Sequence, residues 1–157
     1  MANGILWPDM AFEEIIFRVA GERDLDEVAR LWLASALSAD GGLADPPTLA
    51  QLRARLGEEP WEITLALALG AIVAFLAVNP ARNSLAELYV APDRQGGAIG
   101  RRLLARAKER MAQGFTLRTA AANLRARAFY EREGLRLIVE GAHPLRNAVC
   151  YYAWEPE

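Results

Sequence analysis

A single mixed α/β domain is what this sequence predicts, and three observations carry the expectation. The chain has 157 residues, 53% of them apolar and 24% charged, which is enough to bury roughly two-thirds of the unfolded surface without staples. Apolar residues alternate with period two in some segments and recur with helical spacing in others. Glycine and proline punctuate the boundaries, so the elements read β-α-α-β-β-β-α-β-α-β-β. One cysteine forbids an internal disulfide, and one cysteine with one histidine is too few soft ligands for a structural zinc site.

Residues 1–14 read as an N-terminal extension and 15–157 as the domain. In the extension Ile5, Leu6, Trp7, Met10 and Phe12 are suited to cover the domain or a partner subunit, and no basic stretch suggests a signal peptide. Ile15 to Ala20 is the first strand. Asp24-Leu25-Asp26-Glu27 has capping-box spacing and opens a helix whose stripe is Leu25, Val28, Ala29, Leu31, Trp32 and Leu33. Gly41-Gly42 breaks it. Thr48-Leu49-Ala50-Gln51 caps a second helix that ends near Gly57.

The run Ile63 to Val78 approaches the length of a membrane span, but Ile63, Leu65, Leu67 and Leu69 alternate with Thr64, Ala66 and Ala68. Gly70 divides the run into two strands of a hairpin over 61–79. A strand at Leu85 to Val90 stops at Pro92. Gln95-Gly96-Gly97-Ala98-Ile99-Gly100 turns into a helix carrying Ile99, Leu103, Leu104, Ala107 and Met111 on one face. Gly114 ends that helix. Phe115 to Ala120 is a strand, Leu124 to Glu133 a helix closed by Gly134, and Leu135 to Glu140 and Ala148 to Trp154 the last two strands. His143-Pro144 falls in the loop between them, and Cys150 alternates with apolar neighbours as a small core residue. A soluble, cytoplasmic protein is the expectation.

Charge is divided along the chain. Residues 1–93 hold 6 Arg against 14 acidic groups, a net of −8, whereas 94–136 hold a net of +8 and the tail a net of −2. The basic segment is either a solvated helical face or the half that meets a polyanion. Within it, the strand–glycine turn–helix at 85–111 points to phosphate. A helix N-terminus leaves N–H groups unpaired and carries the positive end of the helix dipole. Small residues at Gly96, Gly97, Ala98 and Gly100 let an anion come close. No Gly-Lys-Ser/Thr follows, and the glycines do not fit G-x-G-x-x-G, so neither a Walker loop nor a dinucleotide fingerprint is present. A glycine-softened turn without a ligand is the other reading of these residues.

Leu85 to Pro92, the turn Gln95 to Gly100 and the following helix resemble the acetyl-CoA-binding motif of the GNAT N-acetyltransferase superfamily, Arg/Gln-x-x-Gly-x-Gly/Ala. Gln95, Ala98 and Gly100 fall at its fixed places, with Ala98 replacing the middle glycine and adding a methyl group where pyrophosphate approaches. Asn123-x-x-Ala126-x-x-Phe129-Tyr130-Glu131-x-x-Gly134-Leu135 is similar to the family's second motif, and Arg18-Val19-Ala20 with Asp24-Leu25 to its opening strand and helix. The resemblance covers about 18–154 and implies a mixed, mostly antiparallel sheet flanked by helices.

It also implies roles. Backbone groups of Leu88 and Val90 pair with the pantetheine arm of acetyl-CoA, where the central strand splays from the next. The N–H groups of Gln95, Gly96, Gly97, Ala98, Ile99, Gly100 and Arg101 hold the pyrophosphate. Asn123 lies near the pantetheine or a bound water, and Tyr130 protonates the departing thiolate, a task that suits a phenol still protonated at pH 7. Glu87 is the candidate base, with a salt-bridged structural role as its alternative. On a regular strand it faces the same side as Leu85 and Tyr89, opposite to Leu88 and Val90. Arg94, Arg101, Arg102, Arg125 and Arg127 are the electrostatic partners offered to the phosphates.

The implied activity is acetyl transfer from acetyl-CoA to an amine of a small molecule or peptide by direct attack in a ternary complex. The alternative is a CoA-binding sensor or regulatory module without turnover. The acidic N-terminal part borders the acceptor site in this family, which suggests a cationic amine, and it argues against a nucleic-acid partner. A homodimer is the assembly the resemblance implies.

Overall fold

The computed structural model describes residues 14–42, 45–143 and 146–157, with the backbone alone described at 142, 143, 146 and 147. The extension, apart from Glu14, lies outside the described residues. The elements are β1 (Ile15–Val19), α1 (Leu25–Leu37), α2 (Leu49–Glu58), β2 (Glu62–Ala68), β3 (Ala71–Asn79), β4 (Ser84–Val90), α3 (Ile99–Arg110), β5 (Phe115–Ala120), α4 (Leu124–Arg132), β6 (Arg136–His143) and β7 (Arg146–Trp154). Their order is the expected one. They form one sheet, β1-β2-β3-β4-β5-β7-β6, in which only β4 and β5 run parallel.

The sheet separates two apolar layers. On one face Leu103, Leu104 and Ala107 of α3 and Tyr130 of α4 pack on Ala74, Leu76, Val78, Leu117, Cys150 and Tyr152. On the other, Val28 and Trp32 of α1 and Leu52 and Leu56 of α2 pack on Ile63, Leu65, Phe75 and Ala77. Alternate residues of β2 and β3 feed the two layers, so the 16-residue apolar run is a hairpin buried on both sides. Cys150 is fully buried, as its alternation predicts. Among the described residues no helix is long and apolar enough to cross a membrane.

Three local details differ from the sequence reading. The box expected at Asp24–Glu27 sits one turn earlier: Gly21 is the cap of a short 3-10 turn, and its N–H donates to Asp24 Oδ2 at 2.7 Å. Asp24 is diverted there because the Arg18 guanidinium also grips both its oxygens, at 2.8 and 2.9 Å. The box at Thr48 forms as expected, with Gln51 N–H donating to Thr48 Oγ1 and Thr48 N–H to Gln51 Oε1. His143 is not in a loop. It pairs with Arg146 at the end of β6, because a residue before proline is driven to extended backbone, which the antiparallel ladder accepts.

The third difference is on β4. Ala77 pairs with Glu87 and Val78 with Leu85, leaving Ala86 as an extra residue. This bulge breaks the period-two phase. Leu85 joins Leu88 and Val90 on the α3 face, while Ala86 and Tyr89 lie on the α1 face. Glu87 therefore shares a side with Tyr89, as expected, but not with Leu85.

Asp24 is held well below the usual carboxylate range, down to about 2, first by its hydrogen bonds from Arg18 and then by the Gly21 N–H. A carboxyl lowered by folding adds stability that is complete above its unfolded value and lost as pH falls toward the folded one. Asp24→Ala should lower the unfolding free energy at pH 7 by about 1–2 kcal/mol, the worth of a lost cap. Urea titrations should also show the variant losing less stability than the parent between pH 4 and about 2.

Candidate functional site

β4 and β5 meet at a single residue pair, Ser84 with Thr116, where Thr116 N–H donates to the Asn83 carbonyl at 3.0 Å. Beyond it they diverge, because β5 commits its other edge to β7 along its whole length. A cleft of about 860 Å3 opens between them, lined by β4, the Gln95–Gly100 turn, the end of α1 and the outer face of α4. Such a volume is of the size that small-molecule sites occupy.

The β4 backbone is oriented for this cleft. Ala91 N–H donates to the Val73 carbonyl. In an antiparallel ladder hydrogen-bonding direction alternates, so Tyr89 and Glu87 also aim their backbone groups at β3. Leu88 and Val90 aim theirs the other way, into the cleft that they line. The Val90 carbonyl is not free there: it accepts from Ser35 Oγ at 3.0 Å and Gln95 Nε2 at 2.9 Å. The Gln95 side chain thus braces the turn whose N–H groups the motif offers.

The turn itself fits an anion. Gly96 has φ +90, a conformation costly for any residue with a Cβ. Ala98 is the cap of α3 at φ −89 and ψ 0, with no side-chain cap bond, and its methyl is exposed. No left-handed backbone is required at that position, so the missing glycine takes nothing from the turn's shape. The first helical bond of α3 runs from Arg102 N–H to the Ala98 carbonyl, which leaves the N–H groups of Ile99, Gly100 and Arg101 without helical partners. Gly100 is packed beside Phe129 and Val90, which a Cβ there would meet at 3.6 Å, an ordinary contact.

The arginines sort themselves. Arg94, Arg101, Arg125 and Arg132 line the cleft, and Arg132 was not singled out from the sequence. Arg101 also lies 3.4 Å from Glu133. Arg102 instead stacks over Phe17, 4.8 Å from its ring centre. Arg127 bonds Tyr152 Oη and the Ala121 carbonyl at 3.2 and 3.0 Å. These two serve packing rather than the cleft. Asn123 lines the cleft and caps α4, its Oδ1 accepting from Ala126 N–H at 3.2 Å.

Two features of the α1 end lay beyond sequence reasoning. Ser35 occupies the inward stripe of α1 between apolar residues and is 2% exposed; its polarity on a core-facing turn was the available signal. Asp40 crosses to α4, where its Oδ2 accepts from Arg125 N–H at 3.0 Å. The crossing is so close that a Cβ on Gly41 would lie 2.6 Å from Ala122 Cβ. Gly41 therefore does more than end a helix.

Where the strands part, Glu87 hydrogen-bonds Tyr89 and acts electrostatically on Tyr130. Tyr130 is 7% exposed and lies on the cleft wall. Burial, then the Glu87 charge, raise its phenol above the usual range, so it is a protonated donor at neutral pH. Burial pushes the Glu87 carboxyl up to about 7, against the pull of Arg55, Arg118 and a hydrogen bond with Tyr89. Tyr89 is raised as well, chiefly by burial. A carboxyl poised near neutrality beside a protonated phenol is an acid–base pair with distinct roles. Among the described residues Glu87 has no ion pair within 4 Å, and Arg55 and Arg118 act on it electrostatically. No cluster of three metal-binding side chains occurs among them either.

Residues 60–135 match the family model of the acetyltransferase (GNAT) domain, and the fold agrees. The apo form of YjaB from Escherichia coli is 19% identical with a TM-score of 0.74, covering 92% of this chain and 99% of that one. yncA from Salmonella typhimurium, solved with its cofactor acetyl-CoA, is 16% identical with a TM-score of 0.65, covering 91% and 94%. A GNAT superfamily phosphinothricin acetyltransferase from Sinorhizobium meliloti, in complex with acetyl-CoA, is 21% identical with a TM-score of 0.67, covering 90% and 88%. No curated protein matches the sequence. The fold is that of the GNAT proteins, and residues 60–135, just under half of the chain, match the acetyltransferase (GNAT) domain model.

Glu87 should titrate with a midpoint near 7, measurable by carboxyl 13C NMR as a signal absent from Glu87→Gln. Because folding raises this carboxyl, the folded state holds its proton more tightly than the unfolded one. Stability due to Glu87 therefore falls as pH rises from about 4.5 through about 7. Glu87→Gln should unfold at higher urea than the parent at pH 8, and the two should converge at pH 4.

Proposed function

We propose that the protein is an acetyl-CoA-dependent N-acetyltransferase acting on an amine of a small molecule or peptide by direct transfer in a ternary complex. The observation that carries this reading is the electrostatic coupling of Glu87 and Tyr130 across the parting of β4 and β5, beside an uncapped helix N-terminus. The thioester of acetyl-CoA supplies an activated acetyl carbonyl; the C–N bond forms as the C–S bond breaks. The N–H groups of Ile99, Gly100 and Arg101 and the turn at Gly96–Ala98 hold pyrophosphate, supported by Arg94, Arg101 and Arg125. Leu88 and Val90 offer backbone groups to the pantetheine; at Val90 this is the N–H, since the carbonyl is engaged by Ser35 and Gln95.

Glu87, ionised above about pH 7, takes the proton from the acceptor's ammonium, directly or through a water, and leaves a neutral nucleophile. Tyr130 Oη gives its proton to the departing sulfur and is reprotonated by the second proton that the acylated nitrogen sheds, directly or through water, while Glu87 releases the first to solvent. Tyr130 lines the cleft and Glu87 lies beside it on β4 next to Leu88, both in surroundings whose burial raises their proton affinity.

Thiol release with acetyl-CoA and a panel of amines tests the reading. Tyr130→Phe should lower kcat by about 10²–10³-fold, in the range of a lost general acid, while CoA binding measured by titration calorimetry is retained. Glu87→Gln should remove the limb of the pH–rate profile centred near 7. Ala98→Gly should change CoA affinity by less than about threefold, because the turn does not need glycine there. Binding without turnover on every amine would leave the CoA-binding module as the function.

A further inference from the structure

The α1–α2 layer covers only part of its face of the sheet. α1 packs on β3 and β4, and α2 packs on α1. Among the described residues, no helix packs closely on the same face of β5, β7 and β6. Phe115 and Leu117 of β5 and Cys150 and Tyr152 of β7 point into the opposite core, so Thr116, Arg118 and Tyr151 lie on the open side. Arg118 pairs with Tyr151, and Tyr151 with Val139; Tyr151 is 37% and Val139 50% exposed. This floor adjoins Glu87 on the side away from the phosphate turn.

Two guanidiniums flank it. Arg118 rises from the floor, exposed. Arg55 projects from α2, exposed, and sits against two aromatic rings: its guanidinium carbon lies 5.2 Å from the Trp32 ring centre and 5.3 Å from that of Trp61. Trp32 in turn lies 6.0 Å from Tyr89, the neighbour of Glu87 on the same side of β4. A guanidinium resting on aromatic rings keeps its N–H groups available. Both arginines act electrostatically on Glu87, and among the described residues neither lies within 4 Å of any carboxylate. Two cations are thus presented around one carboxyl, and both have donors to spare.

We propose that Arg55 and Arg118 bind a carboxylate carried by the acceptor, so that the substrate is an amine of the amino-acid type. This rests on the acetyltransfer reading. A zwitterion is complementary to the wall: its ammonium faces Glu87, and its carboxylate takes the fork of Arg55 and the charge of Arg118. Binding would also place the amine, since the carboxylate fixes its distance from Glu87. The acceptor suggested by the acidic N-terminal half, a cation without a carboxylate, would instead be repelled by these two side chains.

The test compares the twenty amino acids with their α-carboxamides, their decarboxylated amines, their α-aminophosphonates and a polyamine, by thiol release from acetyl-CoA. The expected result is a kcat/KM for at least one amino acid ten or more times that for its carboxamide. Arg55→Gln and Arg118→Gln should each reduce this ratio at least tenfold, and Arg55→Lys should restore part of it. Arg118 occupies an exposed strand position, so its variant tests the idea even where Arg55→Gln disturbs the aromatic stack. Equal rates on acid and carboxamide, a preference for the polyamine or the phosphonate, or ratios untouched in both variants would overturn the proposal and leave acetyl transfer standing. No transfer to any amine would overturn the acetyltransfer reading and the proposal with it.

Discussion

The site depends on one failure of pairing. A parallel neighbour of β4 would normally satisfy the row of backbone groups that Leu88 and Val90 turn outward, and β5 does so at one position only. Everything beyond Ser84 and Thr116 is an unpaired edge in the middle of a seven-stranded sheet. Such an edge is expensive to keep open, because buried N–H and carbonyl groups without partners lose hydrogen bonds that water supplied in the unfolded chain. The protein offsets part of the cost with side chains. Ser35 and Gln95 both donate to the Val90 carbonyl, and the α1 end is tied across to α4 through Asp40. The opening is therefore built and braced, and β5 is held away by its ladder to β7.

The same parting explains how groups from opposite layers meet. Tyr130 belongs to the α3–α4 face and Glu87 to the α1–α2 face. An intact sheet would insulate them with a layer of backbone. Because the strands diverge, the Glu87 charge reaches the Tyr130 phenol. The bulge at Ala86 sets the second condition. Without the extra residue, Leu85 and Glu87 would share a face; with it, Leu85 enters the apolar core while Glu87 stays beside Tyr89, where burial holds its proton to near neutrality. Strand divergence and strand bulge act on the same few residues and yield one poised acid–base pair.

Most of the fold was legible because it rests on local rules. Alternation around Gly70 forecast the β2–β3 hairpin, Thr48 and Gln51 forecast their cap, and the glycine turn forecast the start of α3. What escaped was set by tertiary geometry. Asp24 and Glu27 have capping spacing, but Arg18, six residues upstream, claimed the carboxylate. Pro144 looked like a loop, although the extended backbone it imposes on His143 is what a hairpin ladder wants. Arg102 and Arg127 carry the same charge as Arg94 and Arg125, and only the packing of Phe17 and Tyr152 says that they face elsewhere. Of the site, the glycine turn could be placed from spacing, and Tyr130 only through the family resemblance. The bulge that aims Glu87 has no signature in Leu85-Ala86-Glu87 itself.

Charge gives the sharpest case of a sequence property that changes meaning in the fold. The −8 of residues 1–93 is spread over exposed positions such as Glu22 and Asp26, the latter bonded by Arg53. Around Glu87, itself one of the acidic groups of that segment, the neighbouring charge is carried by Arg55 and Arg118. Net charge averages over a surface, whereas a ligand responds to the few groups within about a Debye length, roughly 8 Å at physiological salt. Anions are thus favoured on both sides of the parted strands, but by different means. On the α3 side, backbone N–H groups at a helix end suit a phosphate of fixed position. On the α2 side, a stacked guanidinium with rotatable reach suits a smaller group that must leave with each turnover.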